Sequence, residues 1–169
     1  DIISESINSP IRLLLGWFLV FETTLPPISI VFAFWTFGAF LMTVKRLAEL
    51  NRLREKKINV IKYRKSLARY SNSLLIILSI FFSNLSSFFI AIFLIKYKIE
   101  LLLSIPFLAL FFVFHLETGL KSSSLSMETE KIFKNPKLNI VMMLLIVITL
   151  ISFFIEIDFL KYFITKFYQ

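Results

Sequence analysis

Four long apolar segments limit what this sequence can fold into. Residues 26–44, 72–95 and 138–155 carry no charge, and residues 99–116 contain only two ionisable side chains. A helix of about 20 residues extends about 30 Å, which matches the hydrocarbon core of a bilayer. The mean hydropathy of +0.81 also indicates more apolar surface than a soluble domain of 169 residues can bury. The segments predict an all-α, polytopic transmembrane helical bundle.

A fifth apolar segment, residues 8–22, is shorter than the other four. Its uninterrupted apolar part lies between Arg12 and Glu22. Taken alone, this pattern is as typical of an interfacial helix as of a spanning one. If the segment spans, the amino end is cytoplasmic like the two long basic loops, and both tight turns are external, which is a self-consistent arrangement. We therefore expect about five transmembrane helices in a single domain covering residues 1–169.

Two polar loops carry most of the positive charge. Loop 45–71 holds ten Lys or Arg and two Glu, a local charge of +8, and loop 117–137 adds four lysines. The positive-inside rule places both loops in the cytoplasm. We expect an integral protein of the bacterial plasma (inner) membrane whose basic loop contacts anionic membrane lipids. Nucleic acid is not an expected partner, because the loop is tethered between two membrane helices.

Several function classes lack their required residues. The chain has no cysteine and one histidine, which excludes disulfides, thiolate nucleophiles and paired-histidine metal sites. Motifs of the form GxxxxGK[ST], GxSxG and HExxH are absent. Nucleotide hydrolysis, esterase and zinc-protease activities therefore have no support.

The most informative polar run lies where the first strong helix ends. Lys45 and Glu49 have i,i+4 spacing, with Arg46 beside them. Two cations next to a carboxylate suit a phosphate or diphosphate group, which a Mg²⁺ ion on Glu49 could bridge. The alternative interpretation is a cationic membrane anchor that contains an ordinary helix ion pair. His115 and Glu117, at another helix end, are a second candidate pair.

Two stripes of small residues recur at helical spacing. One comprises Ser29, Ala33 and Thr36, and the other recurs every four residues from Ser79 to Ser87. Such stripes are typical of helix packing in membranes. A polar cavity lining is the alternative for the second stripe.

Three stretches carry a resemblance to a known family. They are the run from Asn8 to Trp17, the Phe34–Ala39 helix that leads into Lys45-Arg46-Leu47-Ala48-Glu49, and the run from Arg64 to Tyr70. Their order resembles the UbiA prenyltransferase superfamily and is most similar to the branch containing decaprenyl-phosphate phosphoribosyltransferase. Members are bundles of roughly nine transmembrane helices with a cytoplasmic Mg²⁺-diphosphate site, so by analogy this chain is the carboxyl-terminal part of one.

The resemblance implies a membrane transferase. It would move a prenyl group from an isoprenoid diphosphate to an acceptor or, alternatively, a phosphoribosyl group from its diphosphate to a polyprenyl phosphate. The family's first acidic motif is absent here, so the missing amino-terminal half would be a partner and the fragment alone would be inactive. The implied site residues are Glu49 as the catalytic and Mg²⁺-binding group, with Lys45, Arg46, Arg64, Lys65 and Arg69 binding substrate. A non-enzymatic transporter or assembly subunit is the alternative from another class.

Overall fold

The computed structural model describes residues 1–121 and 135–156, apart from the side chain of Lys62. Within those ranges all regular structure is helical, which confirms the predicted all-α class. The helices are α1 (Ile2–Ser6), α2 (Asn8–Val20), α3 (Ile28–Glu55), α4 (Val60–Tyr63), α5 (Asn72–Tyr97), α6 (Ile105–Leu120) and α7 (Pro136–Phe154), with 3-10 turns at Leu67–Arg69 and Ile99–Ser104. Most of the predicted loop 117–137 and the tail after residue 156 lie outside the described residues.

Four helical segments are long and apolar enough to cross a membrane. They are α3 with 28 residues, α5 with 26, the stretch Ile99–Leu120 with 22, and α7 with 19. Each corresponds to one of the four strong segments of the sequence. The chain is a polytopic helical membrane protein.

The fifth predicted span forms a helix that is not among these four. Helix α2 has 13 residues, so it extends only about 20 Å. Ile7 separates it from α1, and Pro10 has no amide hydrogen to donate to the Ser6 carbonyl one turn earlier. By length and composition, the described residues give four candidate membrane spans, and a fifth span over residues 8–22 stays a prediction.

The predicted loop 45–71 begins as helix. Helix α3 continues to Glu55, because Leu47, Leu50 and Leu53 recur every three residues and are all buried. These leucines extend the packed face of the helix beyond the apolar run. The connection from α3 to α5 is therefore limited to residues 56–71 and contains the single turn of α4 and the 3-10 turn Leu67–Arg69.

Helix α3 is the central element of the bundle and packs against α1, α2, α5 and α6. Phe40 and Val44 of α3 lie in its core with Leu75 of α5 and Phe112 of α6. The small-residue stripe of α3 is buried as well, in agreement with a packing role. By contrast, α5 and α7 expose many large apolar side chains, as helices in contact with lipid do.

Hydrogen bonds show which ends of the helices lie together. The Asn51 side chain donates to the carbonyls of Gly119 and Leu120 at 3.3 and 3.4 Å. Asn72 at the start of α5 donates to Asn51 Oδ1 at 2.7 Å. We call this the basic end, because the segment 45–71 lies there. At the opposite end, Lys98 Nζ donates to the carbonyl at the end of α7, 2.6 Å away.

Candidate anion-binding site at the basic end

Arg46 lies at the centre of a buried group of charges at the basic end. Its side chain is only 4% exposed, and Nη1 donates to Glu49 Oε2 one turn along α3 at 2.7 Å. Nη2 donates to both carboxylate oxygens of Glu5, at 2.5 and 2.7 Å. Nε lies 3.3 Å from Asp1 Oδ2 without the alignment of a hydrogen bond. This arginine therefore joins the amino-terminal helix α1 to the end of α3.

Arg64 adds a second guanidinium to the same group. It follows α4, and its Nη2 donates to Asp1 Oδ1 at 2.8 Å and to Glu5 Oε1 at 2.9 Å. Its Nε donates to the hydroxyl of Ser66 at 3.1 Å. The ion-pair cluster, defined as Asp1, Glu5, Arg46, Glu49 and Arg64, thus has three carboxylates and two guanidinium groups.

Both arginines lower the pKa of the Glu5 carboxyl group. Its partial burial raises the pKa, but hydrogen bonds and charges from Arg64 and Arg46 outweigh that effect and lower the pKa below its usual 4.5. Glu5 is therefore ionised at neutral pH. Because Arg46 already donates to two carboxylates, a bound phosphate would have to displace one of them to reach it.

A cavity of about 170 Å³ opens beside Glu49. Arg52 and Lys56 line it, so two cationic side chains face one carboxylate. Arg52 lies one turn after Glu49 on α3, and Lys56 directly follows the last residue of that helix. The volume is well above the roughly 15 Å³ that a single water requires. The full lining is Glu49, Arg52, Leu53, Lys56, Ile58 and Tyr63.

The structure brings together half of the predicted site residues. Arg46, Glu49 and Arg64 meet in the ion-pair cluster. Lys45 is exposed, and Arg46 at i,i+3 is the residue that pairs with Glu49. The inferred i,i+4 arrangement therefore does not form, because Lys45 lies outside the buried face of α3.

Lys65 and Arg69, the other two predicted substrate ligands, do not join the cluster. Both are exposed on the segment between α4 and α5, and neither lines the cavity. Their predicted contact with a substrate stays a prediction.

Sequence reasoning missed four residues of this region. Arg52 and Lys56 were not singled out, because a loop was predicted from residue 45. Their spacing of three and seven residues from Glu49 is helical and could have indicated that they lie near it. Asp1 and Glu5 lie far from Arg46 along the chain, and no local pattern connects them with it.

The carboxylate of Glu49, the predicted Mg²⁺ ligand, already has a cationic partner. Its Oε2 lies 2.7 Å from Arg46 Nη1, so a cationic group already occupies one side of the carboxylate. In residues 1–121 and 135–156, no group of three or more His, Asp or Glu side chains could hold a metal ion. The Mg²⁺ that the resemblance implies stays a prediction, since such an ion commonly binds one or two carboxylates together with waters and substrate phosphates.

The second candidate pair, His115 and Glu117, does not form a site together. His115 is 5% exposed and packs between the rings of Phe40 and Phe111, each with its centroid 5.6 Å away. Its Nδ1 has no hydrogen-bond partner in the described part of the chain. Glu117 instead pairs with Lys121 at the protein surface.

Comparisons with protein families, with curated proteins and with solved structures find no match to this chain.

Proposed function

We propose that this chain is the membrane-embedded part of a UbiA-like transferase that binds a diphosphate substrate at its basic end. The transferred group is a prenyl group from an isoprenoid diphosphate. In the alternative, it is a phosphoribosyl group that passes to a polyprenyl phosphate. The observation that carries the proposal is the cavity beside Glu49, where Arg52 and Lys56 provide two positive charges at the end of a membrane helix.

The contacts of the ion-pair cluster support the proposal. Two of the stretches that resemble the UbiA superfamily, Lys45–Glu49 and Arg64–Tyr70, are separate in sequence. Arg46 and Arg64, one from each stretch, share the carboxylate of Glu5. An arrangement of this kind is expected when both stretches serve one site.

The chemistry of both reactions suits a cationic cavity. In each reaction a bond to a diphosphate breaks, and negative charge develops on the departing diphosphate oxygens. Preorganised cations at those oxygens bind the diphosphate of the substrate and also stabilise the charge that develops on it in the transition state. Arg52 and Lys56 would act there, while Arg46 would hold the end of α3 in place. Bound Mg²⁺ would supply further neutralisation of the diphosphate.

The orientation proposed is that the basic end faces the cytoplasm of a bacterial plasma membrane. Its lysines and arginines fall in the segment between two spanning helices, where the positive-inside rule applies. Anionic lipids would then contact the exposed side chains of Lys45, Lys65 and Arg69.

A transfer assay on the full protein in lipid vesicles tests the proposal. Each donor, an isoprenoid diphosphate or phosphoribosyl diphosphate, is supplied with Mg²⁺ and a polyprenyl phosphate or a membrane lipid extract. We expect product from one donor, and a KM for that donor raised roughly tenfold or more in Lys56→Ala. Charge-assisted hydrogen bonds are each worth about 1.5–3 kcal/mol, which corresponds to that range.

The matched control is Lys96→Ala, which removes an exposed lysine at the opposite end of α5. Its KM should equal that of the unmodified protein. Absence of transfer from both donors by folded protein would contradict the transferase. A normal KM in Lys56→Ala, with transfer present, would contradict the assignment of the cavity.

A non-enzymatic membrane protein is the second candidate. The observation that favours it is that Arg46 already donates to two carboxylates, as expected of a structural ion pair rather than of a site open to substrate. A transporter or assembly subunit of this kind would show no transfer in the assay above. It would still lose stability when Arg46 is replaced.

A further inference from the structure

Helix α5 has one face that the described helices leave uncovered along its whole length. The positions on this face alternate by four and three residues, which is the seven-residue repeat of two helices that wind around each other. Five of the six side chains are exposed, and the remaining one, Ala91, is half-buried. We call this the α5 seam, and its residues are Ile77, Phe81, Asn84, Phe88, Ala91 and Ile95.

Asn84 is the one polar side chain of the α5 seam, and it lies at the midpoint of the 26-residue helix Asn72–Tyr97. In a bilayer this position is the centre of the hydrocarbon core, where lipid offers no hydrogen bonds. Its carboxamide forms no hydrogen bond within residues 1–121 and 135–156. An unpaired amide at this depth is costly, so the position favours a partner that pairs with it.

A groove of about 230 Å³ lies beside Asn84, between α5 and α6. Small residues on both helices leave this space, because Ser83 and Ser87 of α5 oppose Ala109 of α6. The Ser83 hydroxyl already donates to the Ile80 carbonyl at 2.9 Å. The groove can therefore accept an apolar side chain from a partner helix, while the Asn84 amide requires a polar one.

We propose that the partner is a second copy of this chain, paired through the α5 seam with the two Asn84 side chains hydrogen-bonded to each other. A carboxamide carries both donor and acceptor, so it satisfies an identical group across a two-fold axis. A heptad face is likewise complementary to its own copy, and one central Asn fixes the register of such a pair. This inference does not depend on the transferase proposal.

Crosslinking locates the interface, because the chain has no cysteine of its own. Phe81→Cys places a thiol on the α5 seam one turn from Asn84. Ile146→Cys is the matched control, because Ile146 is 50% exposed and lies near the middle of α7. In phosphatidylcholine vesicles containing the full protein, oxidation with copper phenanthroline should give dimers from Phe81→Cys and only traces from Ile146→Cys.

Association is then measured by energy transfer between labelled copies as the protein is diluted with lipid. Asn84→Leu should weaken association roughly 3- to 30-fold, the range found for interhelical polar pairs in membranes. Asn84→Gln keeps the donor and acceptor and should retain association within a few-fold. Unchanged association in Asn84→Leu would overturn the proposal. Equal crosslinking at both positions, or crosslinking of Phe81→Cys in native membranes only to a different protein, would overturn it as well.

Discussion

At the scale of single residues, the charge of Arg46 is balanced by carboxylates from two separate helices. Glu49 lies on the same helix, whereas Glu5 comes from α1. Burying a guanidinium is costly unless its N–H groups are hydrogen-bonded. Most of the hydrogen bonds that Arg46 can donate are made here. The cluster therefore ties α1 to Arg46, while Arg64 donates to the same acidic residues of the amino terminus.

Arg46→Met tests this contact, because it keeps an unbranched side chain and removes the charge. We expect the free energy of unfolding to fall by about 3 kcal/mol or more, since Glu49 would remain buried without its partner. Thermal unfolding in detergent measures the loss. Lys45→Met, at the exposed neighbouring position, should stay within about 0.5 kcal/mol of the unmodified protein. Equal effects of the two substitutions would contradict the buried cluster.

The lowered pKa of Glu5 predicts how stability depends on pH. A carboxylate whose pKa is lower in the folded state stabilises the protein fully above its unfolded value, which is 4.5 here. That contribution is lost as the pH falls below 4.5 and through the folded pKa. The melting temperature should therefore decrease on acidification over this window, and less so in Glu5→Gln. Parallel curves for the two proteins would show that Glu5 does not contribute.

At the scale of helices, α3 and α6 cross where Gly119 faces Val44. A Cβ atom on Gly119 would lie 2.6 Å from Val44 Cγ1 and 3.1 Å from the Val44 carbonyl oxygen. The crossing thus requires a residue without a side chain. Asn51 reaches the carbonyl of Gly119 at the same crossing, so packing and hydrogen bonding reinforce each other.

Gly119→Ala should destabilise the protein by about 1–2 kcal/mol, because the stiff Val44 side chain or the α3 backbone must move. Gly16→Ala is the matched control in α2, where a Cβ atom would meet no atom within 4 Å. It should be neutral or stabilising by up to about 1 kcal/mol, since alanine favours helix. Thermal unfolding of both variants without denaturant provides the comparison. An unchanged stability of Gly119→Ala would argue against this crossing.

The sequence allowed the spanning helices to be predicted because hydrophobic length is a local property. It did not allow the end of α3 to be predicted, since charged residues between Lys45 and Glu55 obscured the buried leucines at 47, 50 and 53. The site was predictable only in part, because some of its contacts are local in sequence and others are not. Arg46 and Glu49 are close in sequence, whereas their contacts with Asp1, Glu5 and Arg64 depend on how separate helices pack.

At the scale of the whole molecule, the proposed site requires that the two ends of the bundle face opposite sides of the membrane. The basic end contains the cluster, the cavity and the segment after α3. The opposite end contains the turn from α5 to Ile99, which Lys98 connects to the end of α7. If the basic end faced outward, a diphosphate substrate made in the cytoplasm could not reach the cavity.

Thiol labelling in intact cells tests this arrangement directly, because the chain has no native cysteine. Ile61→Cys and Tyr97→Cys introduce thiols at exposed positions of the two ends, where the native side chains are 63% and 55% exposed. We predict that a membrane-impermeant maleimide labels Tyr97→Cys and leaves Ile61→Cys unlabelled until the cells are opened. Labelling of Ile61→Cys from outside, or equal labelling of both positions before lysis, would contradict the proposed orientation and the cytoplasmic diphosphate site with it.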